Sequence, residues 1–276
     1  MTKVELKKLL NKYNLSPNKI RGQNFLISDN TLNIIIKKAN IQVDELILEI
    51  GPGLGSLTKK LIKNSKKVIA IEVDKNFKNY LNFLKKDFDN LEIIWQDILS
   101  LTNKQFKKIL IKSNLDNYKI VANIPYYLTS KLINKFLSFK KQPLNMILMV
   151  QKEVADRMVA KKNSLLSLAI SFYADVEIVD IVKKENFYPI PKVNSAIINI
   201  YNIHKWNYNI DENKLWILIR RGFSSKRKKL INNLSTDINL KKEKLIKIFD
   251  KINIDKNIRA EDLSKENWID LFINIY

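Results

Sequence analysis

Apolar positions along the chain fall into two alternating patterns. Runs of strand length lie at 46–50, 67–72, 91–95, 118–122 and 144–150. Between them, apolar residues recur at the spacing of one helix face, over 30–39, 55–63, 75–86, 102–112, 129–138, 152–160 and 164–173. This alternation predicts a Rossmann-like α/β fold, a mostly parallel sheet with helices on both faces. Two later runs, 175–182 and 195–201, are joined by a loop and read as an antiparallel pair at the sheet edge. From 205 the pattern is helical only, over 211–222, 225–233, 240–250 and 264–274. The expected organisation is therefore a larger domain over 1–204, opening with a basic arm over 1–20, and a small all-α domain over 205–276.

Polar and turn-forming residues punctuate this pattern where a ligand would bind. In open α/β sheets that place is the carboxyl ends of the strands. The first run leads into Gly51-Pro52-Gly53-Leu54-Gly55, with Glu49 two residues before the first glycine. Glycines there let the backbone bend sharply and let a ligand approach it closely. The spacing is Gly-x-Gly-x-Gly rather than the Gly-x-Gly-x-x-Gly of dinucleotide folds. The next run ends in Glu72, 21 residues after Gly51, where an acid can accept the hydroxyls of a ribose. The third run is followed by Asp97, placed to accept from the amine of an adenine. Together these describe a nucleoside pocket.

Three loops add chemistry. Before the first strand, Gly22 makes a turn in Arg21-Gly22-Gln23-Asn24-Phe25-Leu26, and Ser28 or Asp29 caps the helix that follows. After the fourth strand comes Asn123-Ile124-Pro125-Tyr126-Tyr127, with Thr129 or Ser130 as the next helix cap. An exocyclic amine could be held there by the Asn123 oxygen and a backbone carbonyl beside Pro125, with Tyr126 offering a ring to the base. The alternative is a plain strand–turn–helix junction with a buried tyrosine. Between the edge strands, Phe187 and Tyr188 precede two prolines that stiffen the loop. Their rings either face the cleft, where a base would stack on them, or fold back on the core.

Composition narrows the chemistry. The chain has 276 residues, 46% of them hydrophobic, enough for one large domain and a small one. It contains no cysteine and a single histidine, His204, so disulfides, zinc–thiolate sites, cysteine nucleophiles and multi-histidine metal sites are excluded. We expect no metal. Lysine and arginine number 49 against 28 acids, a net charge of +21, which points to a polyanionic partner. Heavy use of Lys, Asn and Ile makes part of that excess compositional bias. The sharpest basic cluster is Arg220, Arg221, Lys226, Arg227, Lys228 and Lys229, around Gly222-Phe223-Ser224-Ser225. A basic turn beside an aromatic suits RNA phosphates; a solvated helix face is the other reading. No apolar run approaches the ~18 residues of a membrane span, and the start has no signal-peptide core, so we expect a cytoplasmic protein with no membrane partner.

The ordered set of motifs resembles the ribosomal small-subunit RNA adenine N6,N6-dimethyltransferase family (KsgA type), within the class I methyltransferases. The matching stretches lie at 22–26, 48–58, 71–74, 96–97, 123–127, 150–157, 187–195 and 223–235, nearly the whole chain. The resemblance implies S-adenosyl-L-methionine as methyl donor, held at Asn24, Leu26, Gly51, Glu72, Asp97 and Asn123; Glu49 and Gly53 belong to the same glycine turn. Asn123, Pro125, Tyr126 and Phe187 are expected to receive the target adenine. The implied substrate is two adjacent adenines near the 3′ end of small-subunit (16S-type) rRNA, methylated late in assembly of a 30S-type pre-ribosomal particle by a monomer. One stretch departs from the family. Lys162-Asn163-Ser164-Leu165-Leu166-Ser167 is shorter than its counterpart and lacks the usual Tyr and Gly. Two rival readings remain: a large-subunit rRNA adenine methyltransferase of the antibiotic-resistance type, and a non-catalytic nucleic-acid-binding relative.

Overall fold

The computed structural model describes residues 2–18, 21–115, 117–237 and 241–276. The chain divides into two compact units, one of residues 1–155 with 175–203, the other of 156–174 with 204–276.

Among the described residues, the first unit is built on nine strands. After α1 (Lys3–Lys12) come β1 (Phe25–Leu26), α2 (Asp29–Ala39), β2 (Leu46–Ile50), α3 (Thr58–Asn64), β3 (Lys67–Glu72), α4 (Lys78–Lys86), β4 (Leu91–Trp95), α5 (Asn103–Ser113), β5 (Tyr118–Asn123), α6 (Thr129–Leu137), β6 (Met146–Gln151) and α7 (Lys152–Val159). The second unit interposes α8 (Leu165–Ser171) before β7 (Asp175–Val182), β8 (Phe187–Tyr188) and β9 (Ser195–Tyr201). Seven strands form one sheet in the order β4-β3-β2-β5-β6-β9-β7. The first five are parallel, and β9 runs antiparallel to both β6 and β7. The alternation read from the sequence and the antiparallel edge pair are both present. Central strands read as unbroken apolar runs because both faces are covered: every residue of β2 is buried.

The N-terminal arm is a helix over Lys3–Lys12. Thr2 and Glu5 cap it reciprocally, and it buries Leu6 and Leu10 against the core. Ser28 is the cap of α2, accepting the Thr31 N–H at 3.2 Å. Lys119, on β5, closes the other end of α2. Its ammonium donates to the Asn40 carbonyl at 2.8 Å and pairs with Glu45 at 2.8 Å, satisfying helix-end acceptors that a buried lysine needs.

Local boundaries shift in places. The helix expected from 55 starts at Thr58, because Gly55 sits at φ +67° and continues the turn. Neither Thr129 nor Ser130 caps α6; Leu128 occupies that position, and the Thr129 hydroxyl instead donates to the Tyr126 carbonyl at 2.9 Å.

In the second unit, α9 (Glu212–Gly222), α10 (Leu230–Asp237), α11 (Lys242–Lys251) and α12 (Lys265–Ile275) follow. The expected start of the third of these at Leu240 lies outside the described residues. The helix expected over 225–233 is corrected to Leu230–Asp237. The amide of Asn233 donates to the carbonyls of Gly222 at 2.6 Å and Ser225 at 3.0 Å, which holds 223–229 as a turn. Gly222 admits no side chain, since a Cβ there would run into the Trp268 ring. The stretch that departs from the family pattern is a helix start. Ser164 and Ser167 form the cap of α8, while the Asn163 amide donates to the Leu263 carbonyl at 2.8 Å and Lys162 pairs with Glu261 at 2.8 Å.

Candidate active site

A cavity opens at the carboxyl ends of β2, β3, β4 and β5, where the turn residues cluster. Gly51 and Gly53 lie on its wall at φ +68° and +52°, in the left-handed region that glycine enters without strain. A Cβ on Gly53 would stand 3.1 Å from the Phe25 ring, so the turn also lacks room for a side chain.

The acids converge there. Both Glu72 oxygens accept backbone N–H groups, Oε1 from Asp74 at 2.8 Å and Oε2 from Gly53 at 3.2 Å. Burial raises the Glu72 carboxyl above the usual range, against the pull of those two donors. Glu49 is 2% exposed, and its Oε2 has no hydrogen-bond partner. Burial, with the Glu72 charge adding to it, pushes this carboxyl up to about 8. Asp97 is exposed on the opposite rim, one oxygen accepting the Leu99 N–H at 2.8 Å. With Asp74, four carboxyl groups line the cavity against two cations, Arg21 and Lys131, among the described residues. Carboxyl groups thus outnumber cations at the cavity, in a chain of net charge +21.

The loop over 21–26 forms another wall. Gln23 Nε2 donates to Asp74 at 2.7 Å, and the Asn24 carbonyl accepts Asn123 Nδ2 at 3.3 Å. That donation leaves Asn123 Oδ1 as an acceptor beside Pro125. Pro125, Tyr126 and Tyr127 continue the wall. Tyr126 is half-buried and its hydroxyl shares a 2.7 Å hydrogen bond with Ser195, at the start of β9.

Comparison with known proteins shows which family the chain belongs to. Residues 14–276 fit the family model described as ribosomal RNA adenine dimethylase. The chain belongs to that family. A small-subunit rRNA methyltransferase A of Clostridium acetobutylicum is 35% identical over 280 residues, the whole of both chains. One from Mycoplasma capricolum is 39% identical, covering 94% of this chain and 97% of its own. Among solved structures, a dimethyladenosine transferase from Plasmodium falciparum superposes with a TM-score of 0.74 at 26% identity, over 91% of this chain and 97% of that one.

Set against the expected dimethylase residues, Asn24, Leu26, Glu49, Gly51, Gly53, Glu72, Asp97, Asn123, Pro125 and Tyr126 all line the one cavity. Phe187 does not. It is 1% exposed, paired with Leu26 across the β1–β8 ladder and packed in the hydrophobic core, so the ring folds back on the core and is not a wall of the cleft. Tyr188 carries the ammonium groups of Lys3 and Lys7, each 5.7 Å from its ring centre. Of the basic cluster, Arg221 is half-buried and the other five are exposed; none of the six pairs with a described carboxylate. Lys226 to Lys229 stand on the turn before α10.

Two cavity supports were not among the expected site residues. Gln23 reads as loop filler until its bond to Asp74 is seen. Lys135, on α6, donates to the carbonyls of Leu99 at 2.9 Å and Leu101 at 2.6 Å, fixing the turn that presents Asp97. Burial lowers its ammonium below the usual lysine range. Among the described residues, no group of three or more His, Cys, Asp or Glu could hold a metal ion, and no helix is long and apolar enough to cross a membrane.

Proposed function

We propose that the protein transfers methyl groups from S-adenosyl-L-methionine to N6 of two adjacent adenines near the 3′ end of small-subunit rRNA, during assembly of the particle. The observation that carries this reading is the acid-lined cavity in a strongly basic protein. A nucleoside with an ammonium and a sulfonium is matched there, and its cations would favour the ionised form of the buried carboxyls. Glu49 supports the fit: a buried carboxyl oxygen without a partner suits a cationic ligand. Glu72 would accept the ribose hydroxyls and Asp97 the adenine amine.

When bound, the donor supplies a methyl group on a positively charged sulfur, already activated for displacement. The chain must then orient the target amine, whose lone pair is delocalised into the adenine ring. Asn123 Oδ1 accepts one amine hydrogen. The Pro125 carbonyl already accepts the Leu128 N–H at 2.9 Å, so the Ile124 carbonyl is left for the other hydrogen. Accepting both turns the lone pair toward the methyl carbon. With the donor held there, the N–C bond would form as the S–C bond breaks, and the nitrogen would then release a proton to water. Positioning and electrostatics suffice, with no general base. Tyr126, held by Ser195, backs the base, which must leave its stack to reach the donor. Unlike Tyr126, the buried Phe187 takes no part in this arrangement. The helical residues 205–276, with the basic turn, serve as a docking surface for the particle.

Asn123→Ala tests the reading. Single-turnover methylation of unmethylated small-subunit particles at saturating donor should fall by ~10²–10³, the value of one preorganised contact that strengthens in the transition state. Donor affinity should change far less. A variant that methylates at the parental rate would make this loop structural. Parental enzyme that methylates large-subunit but not small-subunit RNA would move the substrate.

A further inference from the structure

The wall of the cavity holds an aromatic ring that the proposed chemistry leaves unused. Four aromatic side chains line the cavity among the described residues, and three are engaged. Phe25 and Phe77 are buried, and Tyr126 is half-buried with its hydroxyl bound to Ser195. Tyr127 is 58% exposed at the cavity mouth. It stands beside Gly22, where a built Cβ would come 3.9 Å from the tyrosine Cδ1. Neighbours on that side are thus a residue with no side chain to cover the ring.

Backbone geometry separates the two tyrosines. Tyr126–Leu128 is a single 3₁₀ turn, in which successive side chains point about 120° apart. A ring at 127 therefore cannot share the space that Tyr126 backs. It faces outward while its neighbour faces in. An RNA strand that delivers one adenine past the rim must carry the next nucleotide over that rim, within about one nucleotide step of the flipped base.

We propose that Tyr127 stacks the unpaired base adjacent to the target adenine, holding the strand in register at the mouth of the site. The proposal rests on the RNA-methylating reading above. Each base has a π-face, so the contact is tolerant of sequence and carries no charge. Where the flanking base is itself an adenine, the next substrate waits on Tyr127 while the first is methylated.

The test uses the full-length protein and unmethylated small-subunit particles. Tyr127→Ala should raise KM for the particle by about fivefold or more, the range of one lost base stack. Tyr127→Phe should keep the parental KM, because the ring remains. Donor affinity by calorimetry should be parental in both variants, and the slope of log KM against log salt should not change, since no phosphate contact is lost. The same assays run on particles rebuilt with an abasic nucleotide on the 5′ or the 3′ side of a target adenine. On one side the abasic change and Tyr127→Ala should be non-additive. A parental KM for Tyr127→Ala, a Phe variant as weak as Ala, or additivity on both sides overturns the proposal. If the parental protein methylates no small-subunit particle, it is the underlying reading that fails instead.

Discussion

Replacing Glu72 by Gln keeps the shape of the side chain and removes its charge. In the native protein the two oxygens accept N–H groups from Asp74 and Gly53 at 2.8 and 3.2 Å, and the residue is 5% exposed. A Gln amide can accept only one of those donors; its NH2 faces the other. The orphaned N–H costs about 1–3 kcal/mol of stability, a fall of several degrees in Tm for a chain of this size. The effect on donor binding is separate. A carboxylate so anchored has lone pairs left for two ribose hydroxyls, as charge-assisted bonds in a site largely shut from water. Losing the charge should weaken donor binding by roughly 1.5–3 kcal/mol, or about 10- to 150-fold in Kd. Isothermal titration with S-adenosyl-L-methionine, below the variant's melting temperature, measures it. An affinity within about twofold of the parent would refute the argument, since the ribose would then be held elsewhere.

Two other outcomes follow from charge. Glu49 carries a native pKa raised to about 8 from an unfolded-state value of 4.5, so the native state keeps the proton that the unfolded chain gives up. Stability linked to this group is full below about 4.5 and is lost as pH rises toward about 8. Glu49→Gln should flatten Tm against pH across that window, and a parental curve already as flat as the variant's would contradict this. Binding to small-subunit particles should fall steeply with salt, and charge reversal at Arg227 and Lys228 should reduce the slope; a flat plot for the parent would mean that the lysine excess is compositional.

The sheet was legible because its inner strands are buried on both faces and leave apolar runs between turn residues. The candidate site was legible because its residues stand at strand ends in chain order: Glu49 and Gly51, then Glu72, then Asp97, then Asn123, and all of them line the cavity. What escaped was contact between distant segments. The helix expected over 225–233 moved because the Asn233 side chain binds the carbonyls of a preceding turn. Phe187 looked free because a two-residue strand has no period to reveal its partner, Leu26. Tyr127 gained its position from the 3₁₀ turn, and Lys135 from two carbonyls over thirty residues away, neither of which composition or spacing encodes.

The β1–β8 ladder sets an order of events in synthesis. Every described residue lining the cavity lies between 21 and 131, in the first half of the chain. Yet the loop that covers it is held at Phe25–Leu26 by Phe187–Tyr188, and Ile27 donates its N–H to the Asn186 carbonyl at 2.9 Å. As the chain emerges from N- to C-terminus, the parallel strands can gather while this loop still lacks its pairing partner. The residues proposed to bind the donor are made early, but the loop at Phe25–Leu26 gains its partner only when residue 188 has left the exit tunnel, and Tyr126 gains Ser195 later still. A nascent chain halted before that point would carry all the side chains proposed to bind the donor and an unfinished site.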